Sequence, residues 1–286
     1  MKEKTSGLFN ALLAGDRTDC LGKDLTVIEN PRTDGPVNFP LKSDTTLSVI
    51  VTEGSMECIA DMTVHRINVP GMLIILPSQI VESISFGSGF KGYCLIMSSS
   101  FMANLPMGNK IPLLANVRQN GFFPLEEQSL EAIKEYVRMV QAALRAPNNY
   151  KYEILTHLTV AYYYGLGTYI HNAADRDIRT TGYDRIANDF ITLVRDNCHL
   201  HRDMGFYADS LCLSAKHVSL AVKKVTGDSA MKWIERYTVL NAKSLLKTTA
   251  LTVSEISDRL GFPTPSDFGK YFRRFTGMSP RAFRDL

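Results

Sequence analysis

The 286-residue sequence predicts an α+β multidomain chain: an antiparallel β-sandwich or barrel in front, two helices behind it, and an all-α domain at the end. Three observations carry this expectation. Residues of roughly 20–100 are rich in β-branched side chains and broken by turn signals. From Pro124 onward the apolar period becomes helical. Near the C-terminus one helical module occurs twice, offset by 50 residues.

The strands are expected at LTVIE (25–29), TLSVIVTEG (46–54), SMECIADMTVHRINV (55–69), GMLIILP (71–77), VESISF (81–86) and FKGYCLIMS (90–98). Short runs separated by Gly, Pro, Asn or Ser suit antiparallel pairing. In 125–146, Leu130, Ile133, Val137, Val140 and Leu144 form one helical stripe, with Glu126, Glu127 and Glu131 near its start. Such a stripe packs either on its own barrel or on a second copy, and periodicity does not separate the two. Residues 149–172 show a more apolar helical pattern in which Tyr162, Tyr163 and Tyr164 suit core packing. AADRDIRTTG (173–182) is a polar linker, and everything beyond it is helix and turn.

Composition bounds the function. With 45% hydrophobic residues the chain buries real cores, and its length suits about two domains. No apolar run approaches the ~18 residues of a membrane span. The N-terminus lacks the apolar stretch and cleavage site of a secretion signal. Cys20, Cys58, Cys94, Cys198 and Cys212 are odd in number and scattered, as expected of reduced thiols in a cytoplasm. Residues 1–179 carry 16 Lys and Arg against 18 Asp and Glu (net −2), and 180–286 carry 16 against 11 (net +5). A polyanion is therefore expected to meet the C-terminal part.

The repeat shows most plainly in KKVTGDS (223–229) and RRFTGMS (273–279). At the same offset Ser214 matches Thr264, Val218 matches Phe268, Val222 matches Phe272 and Trp233 matches Phe283. In the second copy, Thr252 and Glu255 have capping-box spacing, Ile256 and Leu260 line one face, and Gly261 ends the helix. After the turn, Thr264 is a good N-cap, Pro265 fits the first helical position, and Asp267 lies at the positive end of the dipole. Phe268, Phe272 and Phe275 then form an apolar stripe, with Lys270 and Arg273 pointing away and Arg274 on the flank. Gly277 stops this helix in the left-handed conformation. The plan is a helix-turn-helix, whose second helix enters the major groove of DNA. The first copy follows it, with 206–212 as the leading helix and 214–226 as the reading helix, striped by Val218, Val222 and Val225. Residues 229–248 form a rod of ~19 residues between the copies, roughly 28 Å long against the ~34 Å between successive major-groove faces.

Residues 184–286 resemble the DNA-binding domain of AraC-type bacterial transcription regulators, most specifically in LTVSEISDRLGFPTPSDFGKYFRRFTGMSPRAFR (251–284). The front half is similar to that family's cupin-like sensor domain through VPGMLIILPSQIVESI (69–84). The resemblance implies a cupin-like antiparallel barrel with two helices over 1–175, a linker over 176–183 and a double helix-turn-helix over 184–286. It also implies base-facing positions at Lys216, Ser219 and Leu220 in the first reading helix and at Ser266, Asp267 and Lys270 in the second. Lys223, Lys224, Arg273 and Arg274 are expected to contact phosphates. Leu220 is apolar where such proteins often carry a polar reader, and Val222 replaces an aromatic residue, so the first module is expected to pack more loosely.

Metal and catalytic signals are weak. Metal-binding cupins carry a His-x-His pair, a Glu and a further His, whereas this barrel offers His65 and places Glu82 where the family often has histidine. Cys198, His199 and His201 cluster in sequence at a helix end, without a fourth ligand nearby. The sequence therefore predicts a DNA-binding transcriptional regulator, an activator by the family's commoner habit, with no cofactor and no enzymatic activity. Its expected partners are double-stranded DNA, a second copy of itself, RNA polymerase and a small effector in the barrel, unless the barrel serves dimerisation alone. The alternative is a cupin-type enzyme with an appended DNA-binding domain.

Overall fold

The computed structural model of the chain describes residues 14–32, 40–68, 70–107, 117, 121–177 and 182–286, with 168–177 described by backbone alone. The chain divides into two units, Met1–Asn38 with Ser43–Ile178, and Phe39–Lys42 with Arg179–Leu286. The strands are β1 (Arg17–Leu21), β2 (Leu25–Glu29), β3 (Leu41–Lys42), β4 (Thr45–Glu53), β5 (Met56–Ala60), β6 (Thr63–Ile67), β7 (Gly71–Ile75), β8 (Ile80–Phe86), β9 (Lys91–Ser98) and β10 (Phe122–Pro124). In the first unit a six-stranded antiparallel sheet runs β1-β2-β9-β4-β7-β10, and a smaller one runs β8-β5-β6. Helix α1 (Ser99–Ala103) follows β9; α2 (Glu127–Arg145) and α3 (Lys151–Asp177) follow β10.

Alternation along the strands sorts residues between two faces of the large sheet. Leu25, Val27, Ile50, Met72, Ile74, Leu95 and Met97 point one way, into a core closed by α1, α2 and α3. There Leu130, Ile133, Val137, Val140 and Leu144 of α2 pack on the sheet, so the expected stripe belongs to its own domain. Of the two alternatives for that stripe, packing on its own sheet is the one observed. Tyr162 and Tyr163 enter the same core, where Tyr162 stacks on Tyr136 at 4.4 Å, whereas Tyr164 is exposed. The other face of the large sheet, with Leu47, Val49, Leu73, Ile75 and Cys94, is buried as completely. Alternate residues of β5, Met56, Cys58 and Ala60, are buried too.

The strand expected over 55–69 is a hairpin. Asp61 and Met62 form its two-residue turn at φ 47° and 65°, both left-handed, as hairpin twist requires. Asp61 tolerates that conformation whereas Met62 does not favour it, and groups on the neighbouring segment 79–82 hold them there. The Asp61 carboxylate accepts from Ile80 N at 2.9 Å and Gln79 Nε2 at 3.1 Å, and Met62 N donates to Glu82 Oε1 at 2.8 Å. Strands β1, β3 and β10 are further additions to the expected set. The linker expected at 176–183 overlaps two helices, because α3 runs to Asp177 and the next helix begins at Gly182. Residues 178–181 of that linker, and Val69 at the end of the expected strand, lie outside the described residues.

The second unit holds α4 (Gly182–Asn197), α5 (Met204–Ser210), α6 (Ala215–Thr226), α7 (Ala230–Thr248), α8 (Val253–Arg259), α9 (Pro265–Thr276) and α10 (Pro280–Asp285). Helices α8 and α9 close over the linking helix α7 through Ala242, Leu246, Ile256, Leu260, Phe262, Phe268 and Phe272. Among the described residues no helix is long and apolar enough to cross a membrane.

Candidate nucleic-acid interface

The two reading helices, α6 and α9, are built alike. Ser214 caps α6 by accepting from His217 N at 3.3 Å, and Thr264 caps α9 by accepting from Asp267 N at 3.1 Å. Both end on a left-handed glycine, Gly227 at φ 78° and Gly277 at φ 80°. One residue earlier, Thr226 Oγ1 donates to Val222 O and Thr276 Oγ1 to Phe272 O, each at 2.8 Å. Upstream of the reading helices the offset becomes 49. Asp203 and Thr252 cap the leading helices α5 and α8, and Thr252 and Glu255 complete the capping box. Cys212 at φ 53° occupies the turn position that Gly261 holds at φ 63°. Leu213 N donates to Ala208 O as Phe262 N donates to Ser257 O, both at 3.0 Å. Pro263 is therefore the residue by which the second turn is longer.

Burial sorts the helix faces. Val218 and Val222 in α6, and Phe268 and Phe272 in α9, are fully buried. The third residue of each expected stripe is not: Val225 is 40% exposed and Phe275 36%. Both lie near the helix end, and Phe275 packs at a tilt against Tyr271 with ring centres 4.8 Å apart, with the Arg274 guanidinium 5.2 Å from its ring centre.

On the opposite faces, Lys216, Leu220, Ser266, Asp267 and Lys270 are exposed, and Ser219 is half-buried. Lys223, Lys224, Arg273 and Arg274 are also exposed. The Lys224 ammonium sits 4.5 Å from the ring centre of Tyr183, which is edge-on to His217. Asp267 is engaged in the cap, since Thr264 Oγ1 donates to its carboxylate at 2.7 Å. His217 takes the equivalent exposed place in α6. Sequence reasoning passed over it, although the 50-residue offset to Asp267 marks the position.

The Cys198-His199-Leu200-His201 cluster does not converge. Cys198 is buried, and burial pushes its thiol up to about 12. Burial lowers the pKa of His199, and His201 lies flat on Phe206 with ring centres 3.7 Å apart. Among the described residues no group of three or more His, Cys, Asp or Glu side chains could hold a metal ion.

Residues 207–285 match a family model described as a helix-turn-helix domain. The arabinose operon regulatory protein of Salmonella typhimurium is 33% identical over 99 residues, 32% of this chain and 35% of that protein. The HTH-type transcriptional activator RhaS of Escherichia coli O1:K1 is 31% identical over 77 residues, 27% of this chain and 28% of that protein. The chain thus covers about a third of the length of these curated relatives. Among solved structures, the DNA-binding domain of the transcriptional factor AdpA in complex with a target DNA is 28% identical, at a TM-score of 0.32 over 35% of this chain and 89% of that one. Residues 207–285 thus form a helix-turn-helix domain similar to part of these transcriptional regulators.

Proposed function

We propose that the chain is a sequence-specific DNA-binding transcriptional regulator that reads two successive major-groove segments with α6 and α9. The observation that carries the proposal is the matched pair of reading helices, alike in caps and burial, each with an exposed basic face. Lys216, Ser219 and Leu220 face bases in one groove segment, and Ser266, Asp267 and Lys270 in the next. Leu220, 54% exposed, is suited to a thymine methyl. Lys223, Lys224, Arg273 and Arg274 hold the phosphates. Helix α7, of 19 residues, sets the two about one groove repeat apart.

In this proposal the first unit senses a small effector or joins two copies, RNA polymerase is the activated partner, and the protein works in the cytoplasm without catalysis or cofactor. The engagement of Asp61 and Glu82 in the β5–β6 turn argues against their use as catalytic or metal-binding groups. Selection of bound sequences from random duplex DNA by the full chain tests the proposal. The expected product is one motif with two conserved blocks about 10 base pairs apart, centre to centre. Recovery of no motif would sink it.

A further inference from the structure

Helix α7 is not the whole connection between the two modules. Arg202 lies immediately before Asp203, the N-cap of leading helix α5 in the first module. Its backbone is held there, because the buried Tyr207 donates to His201 O at 2.6 Å and packs on Phe190. Its side chain reaches the turn of the second module. Nη1 donates to Leu260 O, Nη2 donates to Gly261 O at 2.6 Å, and the guanidinium lies 4.0 Å from the ring centre of Phe262. Those carbonyls end helix α8, where a cation is favoured and backbone acceptors lack helical partners. Phe262 in turn packs on Phe268 at 5.3 Å and Tyr271 at 5.2 Å, both on reading helix α9. A route of contacts therefore runs from the first module's leading helix to the second module's reading helix without passing along α7.

We propose that Arg202 is a positioning residue that fixes the separation of the two reading helices, and so the spacing between half-sites that the protein accepts. This rests on the DNA-reading proposal above. An arginine suits the task because its planar fork meets two carbonyls while its face covers an aromatic ring, a combination lysine cannot reproduce. Each module also packs on α7, and a second tie between the modules themselves restrains what relative motion that packing leaves before DNA binds.

The test uses the full chain, wild type, Arg202→Ala and Arg202→Gln, with four DNAs: the selected site, the site with one base pair inserted or deleted between its halves, and a single half-site. Wild type should prefer the correct spacing strongly. Arg202→Ala should lose roughly tenfold on the selected site, leave the half-site unchanged within about twofold, and reduce the preference for correct spacing. Arg202→Gln, which keeps one donor and cannot fork, should fall between them and serves as the deciding variant if the alanine chain does not fold. A wild-type spacing preference in either folded variant would overturn the proposal, as would equal loss on site and half-site. Amide hydrogen exchange of the free chain supplies a readout independent of DNA. In Arg202→Gln, the amides of Gly261, Phe262 and Thr264 should exchange faster while α6 keeps its protection, and unchanged exchange would count equally against the clamp. A wild-type chain that binds no DNA selectively would instead refute the DNA-reading proposal, and the exchange result would still judge the clamp.

Discussion

Lys270 and Arg274 lie one helical turn apart and carry the same charge, so exchanging either for alanine separates their two roles. On α9, at 100° per residue, Lys270 projects about 180° from the midpoint of the buried pair Phe268 and Phe272. Arg274 projects about 140° from that midpoint and sits about 6 Å further along the axis. A helix entering the groove by its N-terminal turns presents the first position to base edges and the second to the passing backbone. Lys270→Ala should therefore cost about 1–3 kcal/mol on the selected site and relax preference at one or two base pairs. Arg274→Ala should weaken selected and scrambled DNA by similar factors, and flatten the slope of log affinity against log salt by about one. The assay is equilibrium binding by fluorescence anisotropy to both DNAs at four salt concentrations. If Lys270→Ala weakened both DNAs equally while Arg274→Ala changed base preference, the assignment of faces would be wrong, and α9 would lie rotated in the groove.

Phe272→Ala, which opens a cavity beside Phe268 and Phe283, should destabilise the second module by about 3–5 kcal/mol in thermal unfolding, with loss of DNA binding. Val222→Ala removes less volume at the equivalent place and should cost visibly less by the same measurement. Glu82→Ala leaves Met62 N without its acceptor in a left-handed turn and should cost about 1–3 kcal/mol, read by urea unfolding of the full chain. The hydrogen bonds from Arg145 hold the Asp19 carboxylate below its usual range, so its stabilisation is complete above the ordinary carboxylate pKa and is lost as pH falls through the depressed one. Unfolding curves of Asp19→Asn and wild type should accordingly differ at neutral pH and converge in acid. Elemental analysis of the chain purified without chelator should find no stoichiometric iron, zinc or manganese; a one-to-one signal abolished by His65→Ala would refute this.

The second domain was legible because its signals are local. A cap, a left-handed glycine and an apolar pair four residues apart each depend on a few neighbouring residues, and their recurrence at 50 residues made Ser214, Thr264, Gly227 and Gly277 readable from the sequence alone. The same periodicity overextended the stripes, since it cannot say where a helix leaves its packing partner, and Val225 and Phe275 lie beyond that point. In the first domain, alternation located most strands but hid the Asp61–Met62 turn, whose left-handed backbone is held by Gln79, Ile80 and Glu82 at the start of β8. It likewise showed that one face of α2 must be covered without saying by what, and tertiary packing covered it with the chain's own sheet. Arg202 carries no local pattern at all. Its meaning lies in two carbonyls and a ring almost 60 residues away, a proximity that only the folded chain creates.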